Sequence, residues 1–422
     1  MSIKERLLAE VRERETEWLE LVEELIRFET PSPPARNTEE IQNYVAGQLR
    51  AAGCSIDEWE LYPGDKVVVG TKRGTRSESA RRLILNGHVD VAQVEEDEPW
   101  VRPPFDPVTE DGYVYGRGAS DMKGGVAGML FAMKLLQEHG IELPGDVYVQ
   151  SVTGEEVGEA GTKSCCERGY EADFALVTDS SDLQIQGQGG VVTGWVTVKS
   201  KETFHDAQRR QMIHAGGGVH GASAVEKMAK VVQSLQELEQ HWSVMKSYPG
   251  FPHGTTTINP AVIEGGRHAA FIADECHLWI TVHYYPNEHH DEVVREIEDY
   301  LNALAAADPW LRDNPLQFKW GGESMIEDRG EVFPPLAIDE EWPGVQVLER
   351  AHAAVHGESA VKSMSQTVTD GGWFSDAGIP SVIYGPGNLE NAHAVNERVS
   401  VDQLRRYIET LVCFLLDWGE VE

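Results

Sequence analysis

The feature that most constrains this chain is a change of rhythm near residue 190. Before it, short apolar runs alternate with helical patterns: Val67–Val69, Leu83–Leu85, Val147–Val152 and Phe174–Val177, with a long helix over about Gly125–Glu138 between the second and third. Short apolar runs separated by helices predict the buried strands of an α/β domain, its sheet mixed or largely parallel and flanked by helices. From Val191 the order becomes half-exposed strand (Val191–Val198), amphipathic helix (Ser223–Trp242), two strands connected through Gly265-Gly266 (Thr255–Ile263 and Cys276–Tyr285), helix (Asp291–Ala306) and short strand (Leu316–Trp320). That β-α-β-β-α-β order predicts a ferredoxin-like α+β unit. After Pro334-Pro335 the first rhythm returns. Residues 191–325 therefore read as a small domain inserted into a larger one made of 1–190 and 326–422. At the start of the chain, residues 4–28 predict one amphipathic helix and 38–52 another, with the turn-rich Thr30-Pro31-Ser32-Pro33-Pro34 between them.

Composition removes several classes of function. The 422 residues carry a formal net charge of -34. A field of that sign repels phosphate, so neither nucleic acid nor an anionic membrane is an expected partner. The five cysteines (54, 165, 166, 276 and 413) are odd in number and contain no CxxC pair, which predicts reduced thiols and a cytoplasmic protein rather than a disulfide framework. The charged N-terminal stretch lacks the apolar core of a signal peptide, and no apolar run is long enough for a transmembrane helix.

The chemistry lies where the strands end. In open α/β sheets, sites form beyond the carboxyl ends of the strands. RRLILNGHVD places His88 at such an end, with Asp90 two residues on and able to orient a metal-bound imidazole. GRGASDMKGG sets Asp121 in a glycine-rich segment just before a helix, where its two carboxylate oxygens can bridge two cations. VYVQSVTGEEVG ends in Glu155 and Glu156; on extended chain they point to opposite sides, one to a metal and the other to a water as general base. ADFALVTDSSD supplies Asp179, with Asp182 as second choice, and PSVIYGPGNLENAHAVNE supplies His393. Mixed His and carboxylate donors suit zinc, with Co2+ or Mn2+ as possible substitutes. His352 and His356 have metal-pair spacing but lack the intervening Glu of the zinc-protease motif, and read as a solvated helix face.

Taken in order, NGHVDV, GRGASDMKGG, TGEEVG, VTDSSD, HAGGGVHGASAV, TTINPAVIEGG and YGPG…AH resemble the zinc-dependent aminoacylase, acetylornithine deacetylase, succinyl-diaminopimelate desuccinylase and glutamate carboxypeptidase family over nearly the whole chain. The resemblance implies two Zn2+ per chain. His88 and Asp179 would hold one, Glu156 and His393 the other, and Asp121 would bridge them. Asp90 would orient His88, Glu155 would be the general base, and the peptide bond after Asp121 would be cis. The insert would serve as lid and dimerisation domain of a homodimer, with His214 stabilising the oxyanion and Asn259 touching substrate. One departure concerns substrate. Where the family has Asp-x-Arg before a proline, this chain has Thr281-Val282-His283, so His283 replaces the Arg that grips a carboxylate. The leading expectation is a metal-dependent deacylase that removes an N-acyl group from a small amino acid-like amine. The alternatives are a deformylase acting on a carboxylate-free amide such as a formylaminopyrimidine, a dipeptidase or carboxypeptidase, and, most remotely, a non-catalytic metal-binding protein.

Overall fold

A computed structural model describes residues 2–77, 79–212 and 220–420. The chain divides into two compact units, Met1–Gln188 with Leu336–Glu422, and Gly189–Pro335.

The larger unit is built on an eight-stranded sheet. In spatial order its strands are Lys362–Ser365, Ile185–Gln188, Ser381–Ile383, Phe174–Val177, Leu83–His88, Val147–Val152, Asp65–Lys72 and Ser55–Tyr62. The four central strands, from Ser381–Ile383 to Val147–Val152, run parallel, so their carboxyl ends share one edge. Antiparallel strands enter only toward the margins. Side chains alternate across this sheet as the pleat requires. Leu83, Leu85 and Leu176 pack into the core formed with helices Glu39–Ala51, Lys123–Glu138 and Val401–Trp418. Ile84, Ala175 and Val177 face the opposite layer with Phe374 and Ile383. This is the three-layer α/β architecture expected from the sequence.

Two details differ. The helix expected over 4–28 is two helices, Ile3–Glu13 and Glu15–Arg27, broken at Arg14 (φ -103, ψ 31). Arg14 leaves the helical path to pair with Glu17 at 2.7 Å and Glu138 at 2.6 Å, and the Trp18 indole N–H takes the Val11 carbonyl at 2.9 Å. The strand Ser55–Tyr62 was not foreseen. It is an outer strand whose residues are partly or fully exposed, so it lacks the apolar run that marks a central strand.

The smaller unit has strands in the order Thr257–Gly265, Glu275–Tyr284, Gly190–Lys199, Gln317–Trp320, all antiparallel, with helices Ala224–Met245 and His290–Ala307. This is the ferredoxin-like order. Val192, Val196, Ile258, Leu278, Ile280 and Val282 form its core with those helices. The unit runs on to Pro335, past the 325 read from sequence, because Val332 and Phe333 pair with Val192 and Val191. Among the described residues no helix is long and apolar enough to cross a membrane, and all five cysteines are free.

Candidate active site

The parallel core strands carry their polar residues to one edge. His88 is the last residue of its strand and is buried. Its Nε2 lies 3.2 Å from Asp121 Oδ1 and 3.8 Å from Glu155 Oε2. His393 Nε2 lies 3.4 Å from Asp121 Oδ2 and 2.9 Å from Glu156 Oε2. Asp121 therefore presents one carboxylate oxygen to each imidazole. The peptide bond that follows it is cis. His88, Asp121 and Glu156 each offer a donor atom within 4.8 Å of the others, a spacing that can hold a metal ion. Asp179 stands two residues beyond its strand and is buried, with its own Oδ1 taking the Ser180 N–H at 2.6 Å. It feels the cluster through its charge: burial and then the Asp121 carboxylate push its carboxyl up to about 8.

Two expectations change in detail. Asp90 does sit beside His88, but His88 Nδ1 is 2.9 Å from the backbone carbonyl of Asp90 and 3.7 Å from its carboxylate. The carboxylate is occupied elsewhere. Its two oxygens accept the N–H groups of Gly154 at 3.0 Å and Glu156 at 3.2 Å. So Asp90 fixes the imidazole with its main chain and the glutamate loop with its side chain. Glu155 and Glu156, in turn, do not lie on extended chain. They open a 3-10 turn, Glu155–Val157, behind a left-handed Gly154 (φ 86). A Cβ at Gly154 would lie 2.5 Å from the Glu159 carbonyl, so the loop can close only on glycine. The two glutamates still diverge, Glu155 toward His88 and Glu156 toward His393.

The electrostatics call for cations. Burial alone would raise the Asp121 carboxyl, but the His393 and His88 imidazoles outweigh it and hold it far below the usual range. The same contacts, with Asp121 and then Glu156, push His393 up to about 11. Burial opposes protonation of His88, yet Asp121, Glu155 and Asp90 overcome it. Glu155 is driven well upward by burial, and Glu156, Asp179 and Asp370 add to the effect. So many acids gathered around two imidazoles call for positive charge beside them. Glu156 Oε1 is buried without a hydrogen-bond partner, a lone pair still to be used. Imidazole and carboxylate donors together fit divalent cations.

Sequence reasoning missed several residues at this edge. Asp370 is buried, accepts from Thr162 Oγ1 at 2.9 Å, and adds its charge to that of Glu155. Arg117 and Glu397 form a buried ion pair at 2.9 Å beneath Asp121. Both stand in the segments GRGASDMKGG and AHAVNE, and a charge of each sign beside proposed ligands was the available signal. His352 is a correction. It is buried, not solvated: its Nδ1 lies 2.7 Å from the Tyr384 hydroxyl, and its ring stacks on His356 at 3.9 Å. Asn259 and His283 belong to neighbouring strands of the smaller unit, Asn259 opposite Thr281 and His283 opposite Thr257. His214 lies outside the described residues.

Residues 84–417 match the model of peptidase family M20/M25/M40. The chain belongs to this family. As an M20 protein it is a metal-dependent hydrolase of amide bonds, and the reading as a non-catalytic metal-binding protein gives way. It is 62% identical over 412 residues, 98% of this chain and 97% of the relative, to N-formyl-4-amino-5-aminomethyl-2-methylpyrimidine deformylase of Bacillus subtilis (strain 168). It is 58% identical over 418 residues, 99% of this chain and 98% of the relative, to the protein of the same name from Halalkalibacterium halodurans. Among solved M20 structures, the metallo-carboxypeptidase Sso-CP2 from Sulfolobus solfataricus matches with a TM-score of 0.74 at 18% identity, over 96% of this chain and 100% of that one, which shows the shared fold. These relatives favour the formyl-amide alternative over the N-acyl amino acid expected first.

Proposed function

We propose that this protein is a di-zinc deformylase that hydrolyses the formyl amide of a small aminopyrimidine, acting in the cytoplasm as a homodimer. The observation that carries the reading is near full-length similarity to two proteins of that name, at 62% and 58% identity, in a chain that links His88, Asp121, Glu155, Glu156 and His393 in one cluster.

In this reading His88 and Asp179 would hold one metal and Glu156 and His393 the second, with Asp121 shared. When bound, the two cations would make a water acidic and polarise the amide carbonyl. The remaining steps belong to the chain. Glu155 takes a proton from the attacking water and delivers it to the amine nitrogen as the C–N bond breaks, giving formate and the free amine. The high proton affinity that burial gives Glu155 suits that relay. Asp90 keeps His88 and the glutamate loop in place. His214 serves as the oxyanion donor.

His283 supports a substrate without a carboxylate. Burial lowers its pKa, so the imidazole is neutral at neutral pH. By strand register it shares a row with Thr257, Val191 and Phe333, and the next row on that face holds Asn259, Thr281 and Thr193. Neither row contains the Lys or Arg that would grip an anion.

The test is a substrate panel run with metal analysis: the formylated aminomethylpyrimidine, N-acetylornithine, N-succinyl-diaminopimelate and a dipeptide. The expected kcat/KM favours the formylaminopyrimidine by at least about 10²-fold, the lower end of what pocket mismatch supplies. Hydrolysis confined to the carboxylate-bearing compounds would overturn the reading.

A further inference from the structure

One buried charge pair beneath the site is used neither as ligand nor as proton carrier. Arg117 and Glu397 are 1% and 0% exposed and meet at 2.9 Å. Such a pair is by itself weak evidence of anything, because desolvation offsets much of its attraction. What distinguishes this one is the rest of its bonding. The second oxygen of Glu397, Oε1, accepts the backbone N–H groups of Ser120 at 2.8 Å and Asp121 at 3.0 Å. Arg117 donates to the backbone carbonyls of His393 at 3.4 Å, Ala394 at 3.3 Å and Gln93 at 3.4 Å. The pair therefore holds the main chain of Asp121 from one side and that of His393 from the other. The His393 segment needs such support, since His393 (φ 58) and Asn396 (φ 59) both adopt the left-handed conformation that side chains disfavour.

We propose that the Arg117–Glu397 pair is a positioning device that sets the spacing of Asp121 and His393, and so fixes the affinity and geometry of the metal centre. The inference rests on the metal-centre reading above. Neither side chain touches a reacting atom. Each acts through the backbone of a ligand, the arrangement by which residues outside a coordination sphere orient those within it.

Metal-stripped full-length protein, titrated with Co2+ and followed by heat of binding and by visible absorption, tests this. Two variants are compared with wild type. Arg117→Met combined with Glu397→Gln removes both charges, so neither is left buried alone. Arg117→Lys keeps the charge but loses the planar fork that spans Glu397 and three carbonyls. Both are expected to bind Co2+ about 10–100-fold more weakly, with an altered absorption spectrum, while the metal-free proteins melt near the wild-type temperature. Wild-type affinity and spectrum in either variant would overturn the proposal. So would weakened binding that tracks an equal loss of metal-free stability with the spectrum unchanged. If the double variant does not fold, Arg117→Lys decides. A wild type that takes up no Co2+ refutes the metal-centre reading itself, and this inference with it.

Discussion

Glu155 and Glu156 are neighbours in sequence, yet each approaches a different imidazole, at 3.8 Å from His88 and 2.9 Å from His393. Their substitutions should therefore fail differently. Glu155→Gln removes the proton carrier and is expected to lower kcat by about 10²–10⁴-fold with metal content unchanged; loss of metal from this variant would reassign Glu155 as a ligand. Glu156→Gln should instead lose metal. A second residue-scale prediction concerns His352, whose pKa burial and then His356 push down to about 4 from an ordinary 6.5. Between those two values the unfolded chain binds a proton that the folded one refuses, so acid favours unfolding. Stability is then full above about pH 6.5 and falls as pH drops toward 4, by about 1–3 kcal/mol. His352→Gln should flatten the dependence of melting temperature on pH in that window; a curve parallel to wild type would remove His352 as its source.

At the scale of elements, the site depends on how closely the helix Lys123–Glu138 approaches the sheet. A Cβ at Gly125 would lie 2.1 Å from the Thr178 carbonyl, and Thr178 immediately precedes Asp179. Gly125→Ala should push the helix start away from that strand, lower the melting temperature, and reduce metal content through Asp121 and Asp179 together. Unchanged metal content in a destabilised variant would mean that the helix start yields without moving its ligand. The same elements explain what was legible in sequence. Leu83–His88, Val147–Val152 and Phe174–Val177 are central, buried strands, and His88, Glu156 and Asp179 stand at their ends or within four residues of them. Strand-end chemistry of that kind is local and can be read directly. The outer strand Ser55–Tyr62 was hidden because its exposed faces tolerate charge. The roles of the Asp90 carbonyl and of the turn at Gly154 were hidden because main-chain geometry leaves little trace in residue identity. Arg117 and Glu397 were hidden because their contact joins positions 280 residues apart.

For the molecule as a whole, a formal net charge of -34 sets the folded chain against itself. Raising ionic strength from about 0.01 M to about 0.15 M shortens the Debye length from about 30 Å to about 8 Å, and the melting temperature should rise over that range. Stripping divalent cations with a chelator should lower it, because Asp121, Glu155, Glu156 and Asp179 then crowd one region with no metal between them. A melting temperature indifferent to both treatments would show that the acidic surface and the buried acids are balanced independently of solvent ions. The insertion has a further consequence, in time rather than space. His88, Asp121, Glu156 and Asp179 are all made before the smaller unit begins, whereas His393 follows it. At a synthesis rate of about 5–20 residues per second, the wait from Asp179 to His393 is roughly 10–40 s. During that wait the smaller unit is completed as one continuous segment, while the larger sheet still lacks its strand Ser381–Ile383. The growing chain thus carries four of the five proposed ligands until its last stretch is translated, and on the proposed reading the complete site can form only at the end of synthesis.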